Sequence, residues 1–262
     1  MTILDQLASH AKERVEQARK KVPLEELKQQ IPASHEKFLF EQALQKPEIS
    51  FICECKKASP SRGLIAPEFP YLQIAKEYEA AGADCISVLT EPKWFLGSND
   101  YLKEIARSVS IPCLRKDFTV DEYMIYEAKL LNASAVLLIC SILSEEQLQE
   151  YISICDELGL SALVEAHDEC EVQMALDANA RIIGVNNRNL KDFSVDTENS
   201  RRLRALIPDN VLFVSESGVR NAEDVQKLRE IGADAVLIGE TLMRAADKKA
   251  MLANLRNSGG VL

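Results

Sequence analysis

The chain has 262 residues, 47% of them hydrophobic, with a formal net charge of -10. That supplies enough apolar material for one large core in a single domain of barrel size, while the acidic balance and scattered Lys and Arg exclude a nucleic-acid or anionic-membrane surface. The start, Met-Thr-Ile-Leu-Asp-Gln, has no apolar signal core, and no run reaches the ~18 apolar residues of a membrane span, so a soluble cytoplasmic protein is expected.

In chain order, the first 48 residues read as helical: 3–20, then Pro23 opening 24–30, then 34–44. They are too many for a tail, and a lid or plug over one mouth of the following domain is expected. The first apolar run, 49–56, carries unexpected charge. Strand side chains alternate between faces, so Glu54 and Lys56 share one face and Cys53 and Cys55 the other; a Ser-Pro-Ser turn with Ser59 and Ser61 follows. Further short apolar runs lie at 84–90, 111–116, 134–140, 161–166, 181–186, 210–216 and 234–239. Between them come stretches with helical spacing, among them 71–81, 122–131, 145–158, 172–178 and 222–231, and a last helix is expected over 241–255.

Gly82, Gly159 and Gly232 stand where a helix must reverse into the next strand, a left-handed position that glycine accepts. Strict alternation of strand and helix calls for parallel strands with right-handed crossovers. Eight units predict an α/β fold, a (β/α)8 TIM barrel with an N-terminal helical extension. No Gly-x-Gly-x-x-Gly follows any run, which disfavours an open doubly wound sheet. With no linker or low-complexity tract, residues 1–262 are expected to be one domain, with 1–48 as its lid.

In such barrels chemistry gathers where the strands end. Here the ends carry Glu54 and Lys56, then Arg115-Lys116-Asp117-Phe118, Glu165, Asn186-Asn187-Arg188, Glu216-Ser217-Gly218 and Gly239-Glu240. Alternation turns Lys116 into the mouth with Leu114 and sends Arg115 toward the helices. Lysines facing carboxylates suit proton transfer, and glycines at the last two ends let backbone N–H groups approach a phosphate. Seven cysteines (Cys53, Cys55, Cys85, Cys113, Cys140, Cys155, Cys170) form no Cys-x-x-Cys pair, and the three histidines (His10, His35, His167) are scattered. Buried reduced thiols are therefore expected, with no disulfide framework and no metal site.

These residues fall in motifs: Glu-Cys-Lys-Lys-Ala-Ser-Pro-Ser (54–61), Ser-Val-Leu-Thr-Glu (87–91) with Phe95 after it, Leu-Arg-Lys-Asp-Phe (114–118), Leu-Val-Glu-Ala-His (163–167), Ile-Gly-Val-Asn-Asn-Arg-Asn-Leu (183–190) and Val-Ser-Glu-Ser-Gly (214–218). In that order the chain resembles the indole-3-glycerol-phosphate synthase family. The resemblance implies a carboxy-lyase of tryptophan biosynthesis that closes 1-(2-carboxyphenylamino)-1-deoxyribulose 5-phosphate to indole-3-glycerol phosphate, without a cofactor. By match of position it implies Lys116 as general acid for ring closure, Glu165 and Lys56 assisting closure or dehydration, and Glu54 as a candidate base. Asn186, Arg188 and Ser217 would hold hydroxyls and the substrate's carboxylate, Ser59 and Ser61 would assist, and Glu216 would position its neighbours. Phe95, Phe118, Leu137 and Leu190 would form the apolar slot. Lys56, Gly218, Gly239 and Glu240 would meet the phosphate, the last through its backbone, with its side chain pointing away.

The expected partner is a phosphorylated small molecule, with no nucleic acid or membrane, and the chain is expected to be monofunctional and a monomer with at most weak self-association. Two rivals keep the fold: another phosphate-binding barrel enzyme such as phosphoribosylanthranilate isomerase, and a non-catalytic phosphosugar-binding barrel. Neither needs Lys56, Lys116 and Glu165 together.

Overall fold

The computed structural model of the chain describes residues 2–32, 37–189 and 192–257. Helices α1 (Ile3–Lys21), α2 (Leu24–Gln29) and α3 (Leu39–Leu44) precede β1 (Ser50–Cys55) and a small antiparallel hairpin of β2 (Ala58–Ser59) and β3 (Gly63–Leu64). Then helix and strand alternate: α4 (Tyr71–Ala80), β4 (Cys85–Leu89), α5 (Asn99–Ser108), β5 (Cys113–Lys116), α6 (Glu122–Leu130), β6 (Ala135–Ile139), a 3-10 turn (Cys140–Ile142), α7 (Glu145–Leu158), β7 (Ser161–Ala166), α8 (Glu169–Asp177), β8 (Ile182–Asn186), α9 (Glu198–Arg204), β9 (Leu212–Glu216), α10 (Ala222–Glu230) and β10 (Ala235–Ile238). The chain continues through α11 (Glu240–Arg244) and α12 (Lys248–Arg256). Strands β1, β4, β5, β6, β7, β8, β9 and β10 pair in parallel in that order, and β10 closes on β1. The predicted barrel is therefore present, and among the described residues no helix is long and apolar enough to cross a membrane.

Alternation sorts each strand into two layers. Phe51, Cys53 and Cys55 of β1 pack outward with Ile86, Val136, Val164 and Val236 under the helices. Ile52 turns inward with Leu114, Leu137, Leu163, Val214 and Leu237, and the same inner cluster takes in Leu7, Ala11 and Val15 of α1 and Phe40 and Leu44 of α3. All seven cysteines are free thiols; Cys170 is exposed and the other six are buried. Glycines 82, 159 and 232 have φ values of 90°, 68° and 74°, the left-handed geometry expected after a helix.

Two elements differ from the sequence reading. The segment before β1 does not cover one mouth; it divides between both. Helix α1 lies across the strand C-termini, and Arg14 donates to Asp117 at 3.0 and 2.6 Å while His10 Nδ1 lies 3.2 Å from Glu91. Helix α3 sits at the opposite end, where the Glu41 N–H donates to Ser161 and Glu41 accepts two 3.0 Å bonds from Arg181. Part of the helix expected over 34–44, residues 34–36, lies outside the described residues. The helix expected over 241–255 is two helices, because Ala245 leaves the helical region and the Asp247 carboxylate accepts the Ala250 N–H to start α12 afresh.

Asp117 follows Lys116 directly and is buried. Burial would raise its carboxyl, but the Arg14 charge and hydrogen bonds, backed by Arg115 and Thr90, hold it below the ordinary carboxylate value. Arg14→Ala strands this carboxylate with weaker partners and is expected to cost about 2–4 kcal/mol in urea unfolding. A loss below about 1 kcal/mol would show that Arg115 and Thr90 satisfy Asp117 alone.

Candidate active site

A cavity of about 330 Å³ opens at the C-terminal ends of the barrel strands, under α1. It is lined by Glu54, Lys56, Ser59, Ser61, Phe95, Lys116, Phe118, Leu137, Glu165, Asn186, Arg188, Glu216, Ser217, Gly218, Gly239 and Glu240. These are all of the residues given a role by the resemblance except Leu190, which lies outside the described residues; Arg115 and Asn187, also at strand ends, turn away to Met124 and Ser215. Helix α1 adds Ile3, Leu4 and Leu7 as an apolar roof.

At the centre stands Lys116, the last residue of β5. Its ammonium donates to Glu165 Oε2 of β7 at 3.0 Å and to Glu216 Oε2 of β9 at 2.6 Å. Glu165 and Glu216 are only 2% and 1% exposed, so both charges rely on the protein for compensation. Burial alone would lower the lysine; Glu165, Glu216 and Glu54 outweigh it and hold the ammonium well above its usual value. The carboxylates diverge. Burial pushes both up, but Lys116 and His167 bring Glu165 far below the ordinary range, whereas the neighbouring charges of Glu165 and Glu54 leave Glu216 raised. Glu216 Oε1 is buried without a hydrogen-bond partner. It occupies the space over Gly184 of β8, where a Cβ would come within 2.3 Å of it.

A second ion pair, Lys56 Nζ with Glu54 Oε2, closes β1. Ser87 of β4 stands 3.5 Å from the other Glu54 oxygen. Gly239, at the end of β10, makes room for this pair, since a Cβ there would lie 2.3 Å from Glu54 Oε2 and 2.8 Å from Lys56 Nζ. The Ser59 and Ser61 hydroxyls of the hairpin lie 3.4 Å apart. Opposite, the Phe95 and Phe118 rings lie 5.9 Å apart and form an apolar wall with Leu137 and Ile139. Phe95 is held from behind, because Glu91 accepts the backbone N–H groups of Lys93, Trp94 and Phe95 at 3.0, 2.7 and 3.0 Å.

The remaining wall runs from the end of β8 to the start of α11. Ser217 and Gly218 have φ values of 67° and 96° directly after β9, a left-handed pair that strains the serine and that glycine accepts freely. A Cβ on Gly218 would meet Thr197 at 2.7 Å and Val195 at 3.0 Å, so the loop before α9 adds a second demand for glycine there. The Asn186 side chain accepts the Arg188 N–H at 3.0 Å, and Arg188 donates to the Phe193 carbonyl at 3.2 Å. Glu240 corrects one expectation: its carboxylate does not point away but accepts from Arg62 at 3.1 Å and Arg244 at 3.0 Å along the cavity edge. Arg62, Arg244 and Gly184 were not read as site residues. Arg62 closes the Ser-Pro-Ser turn and Gly184 interrupts an apolar run, the only local marks they carry.

The family model described as indole-3-glycerol phosphate synthase matches residues 4–255. A protein of Ruminiclostridium cellulolyticum named indole-3-glycerol phosphate synthase is 59% identical over 258 residues, 98% of this chain and 99% of its own. One of the same name from Lachnoclostridium phytofermentans is 50% identical, over 97% and 99% of the two chains. Among solved structures, 3-hexulose-6-phosphate synthase from Salmonella typhimurium is similar with a TM-score of 0.67 at 14% identity, over 80% of this chain and 98% of that one. At that identity the likeness shows the barrel fold alone.

Gly184→Ala is expected to force the Glu216 carboxylate from its seat and cost about 1–3 kcal/mol in urea unfolding. Because the clash is with one side chain, most of that cost should vanish when Glu216→Ala is already present. Additive costs would mean that Glu216 has room to move.

Proposed function

The chain belongs to the indole-3-glycerol phosphate synthase family, and we propose that its cavity performs that family's ring closure with Lys116 as the proton donor. It is a decarboxylating lyase of tryptophan biosynthesis. The substrate, 1-(2-carboxyphenylamino)-1-deoxyribulose 5-phosphate, closes to indole-3-glycerol phosphate with loss of carbon dioxide and water. The ring carbon that bears the carboxylate attacks the ketone carbon, and the ketone oxygen must take up a proton as its double bond opens. Carbon dioxide then leaves and returns its bonding electron pair to the ring system. Finally the new hydroxyl departs as water, which needs a proton on that oxygen and loss of one from the adjacent carbon.

What carries this reading is the Lys116 ammonium, clamped between Glu165 and Glu216 and facing the Phe95 and Phe118 wall. Held protonated, it yields its proton only to an oxygen turning into an alkoxide. Glu165, kept ionised, cannot be that donor; it orients Lys116. The adjoining Lys56 and Glu54 supply acid and base for dehydration. The aromatic ring lies against Phe95, Phe118 and Leu137, while Asn186, Arg188 and Ser217 take hydroxyls and the carboxylate, and Ser59 and Ser61 support them. The phosphate is received by the backbone at Gly218, Gly239 and Glu240, with Lys56 and Arg62 near it.

Residues 1–262 act as one domain, with α1 roofing the substrate. Seven free thiols suit a reducing compartment such as the cytoplasm.

Lys116→Ala and Lys116→Arg should each lower turnover by ~10²–10⁴ while substrate still binds, because arginine keeps the charge but holds its proton. The assay is the rise of indole fluorescence on adding the substrate. Arg115→Ala provides the contrast: its guanidinium lies between strands and helices, bonded to the Met124 carbonyl, Asn99 and Glu127, so stability should fall and turnover persist. Near-normal turnover in Lys116→Arg would make the residue an electrostatic anchor. Gly218→Val should raise KM strongly; an unchanged KM in a folded variant would put the phosphate elsewhere.

A further inference from the structure

Two carboxylates flank Lys116, and the contacts around them are unequal. Glu216 spends one oxygen on Lys116 and leaves the other unpartnered. Glu165 gives Oε2 to Lys116, and its Oε1 faces His167 Nε2 at 3.4 Å. That distance is long for a good hydrogen bond but well within ion-pair range, and Nε2 is a buried nitrogen with no hydrogen-bond partner. The ring is fixed from its other side: Nδ1 lies 2.9 Å from Glu171 Oε2 on α8, and the same oxygen accepts the His167 backbone N–H at 2.7 Å. Glu171 thus anchors both backbone and ring, aiming Nε2 at Glu165.

We propose that His167 is a positioning residue of this site: its ring, held by Glu171, faces the outer oxygen of Glu165 and fixes that carboxylate as the anchor of Lys116. When Lys116 gives its proton to the ketone oxygen it becomes a neutral amine. Glu165 stays charged throughout and keeps Lys116 in place. This assignment rests on the reading of Lys116 as the donor.

The electrostatic surroundings agree with the geometry. Burial disfavours the charged ring, yet Glu165 and Glu171 push His167 up to about 10, so it is a cation at neutral pH. The other charged groups that line, with His167, a polar cavity of about 470 Å³ are Asp168, at the cap of α8, Asp196, Arg188 and Arg202. Behind Glu165 stand Lys116 and Glu216. The arginines oppose the positive ring, but its direct contacts are the two carboxylates.

The test is the pH profile of kcat for His167→Gln and His167→Ala, with folding checked by circular dichroism. Without the cation Glu165 becomes easier to protonate, so the acidic limb should move to higher pH by half a unit or more in both variants, with KM little changed. An unmoved limb in a folded variant overturns the proposal. So does a wild-type profile in His167→Gln, because an amide keeps a donor but not the charge. A structural role alone would lower stability without moving the limb. Stability gives a second reading. A base raised in the folded state contributes fully below its unfolded value of 6.5 and loses that contribution as pH rises through about 10. The wild type should therefore lose stability over that window, and His167→Gln should lose less. If Lys116→Arg retains turnover, the donor reading falls; if it is inactive while the His167 profiles match wild type, only the role of His167 falls.

Discussion

The Lys116 ammonium can stay charged beneath α1 only because Glu165 and Glu216 are brought to it by two other strands, β7 beyond β6 and β9 across the barrel. Removing one charge of such a group leaves the others buried without compensation, which is worse than never having buried them. Three strands, β5, β7 and β9, must therefore keep their register to within a residue, since a slip of one would turn each charge into the helical layer. The inner apolar cluster of Ile52, Leu114, Leu137, Leu163, Val214 and Leu237 enforces that register from below. The site and the core are one arrangement: the same alternation that packs the leucines aims the charged residues.

The N-terminal helices extend that arrangement to the loops. Arg14 reaches the residue after Lys116, and His10 reaches Glu91, whose carboxylate organises the backbone that carries Phe95. One helix thus touches, through two polar contacts, the loops that bear the proton donor and one side of the aromatic wall. Helix α3 has the complementary task at the opposite end, where Arg181 joins it to the start of β8 by bonds to Glu41 and to α7 by bonds to Asp156. Binding energy from remote contacts is most useful when it fixes reacting groups in this way.

Much of this was legible in the chain because it obeys a period. Eight apolar runs ending in charge gave the barrel, and the period of two placed Glu54 and Lys56 on one face and Lys116 opposite to Arg115. What the sequence did not disclose depends on partners far apart in the chain. Nothing near Glu240 says that Arg62, 178 residues away, will share its carboxylate with Arg244. The division of the first 48 residues between two ends was hidden for the same reason: helical spacing reports an apolar stripe but not which mouth receives it. The expected final helix failed locally, where Asp247 competes for a backbone N–H that a continuous helix would use.

The glycines show how closely the charged groups are fitted. Gly184 and Gly239 both have ordinary backbone conformations, so neither is required by a turn; each is required by the carboxylate beside it. A strand loses conformational entropy and packing surface wherever it carries glycine, and a buried carboxylate such as Glu216, with one oxygen unpartnered, is a further cost. A chain optimised for stability alone would fill these gaps and neutralise these charges. Both costs fall at strands bordering Lys116 or Lys56, where proton transfer needs charged groups that are close, dry and unequal, and the outer layer of β1, β4, β6 and β7 with its helices compensates for them by close apolar packing.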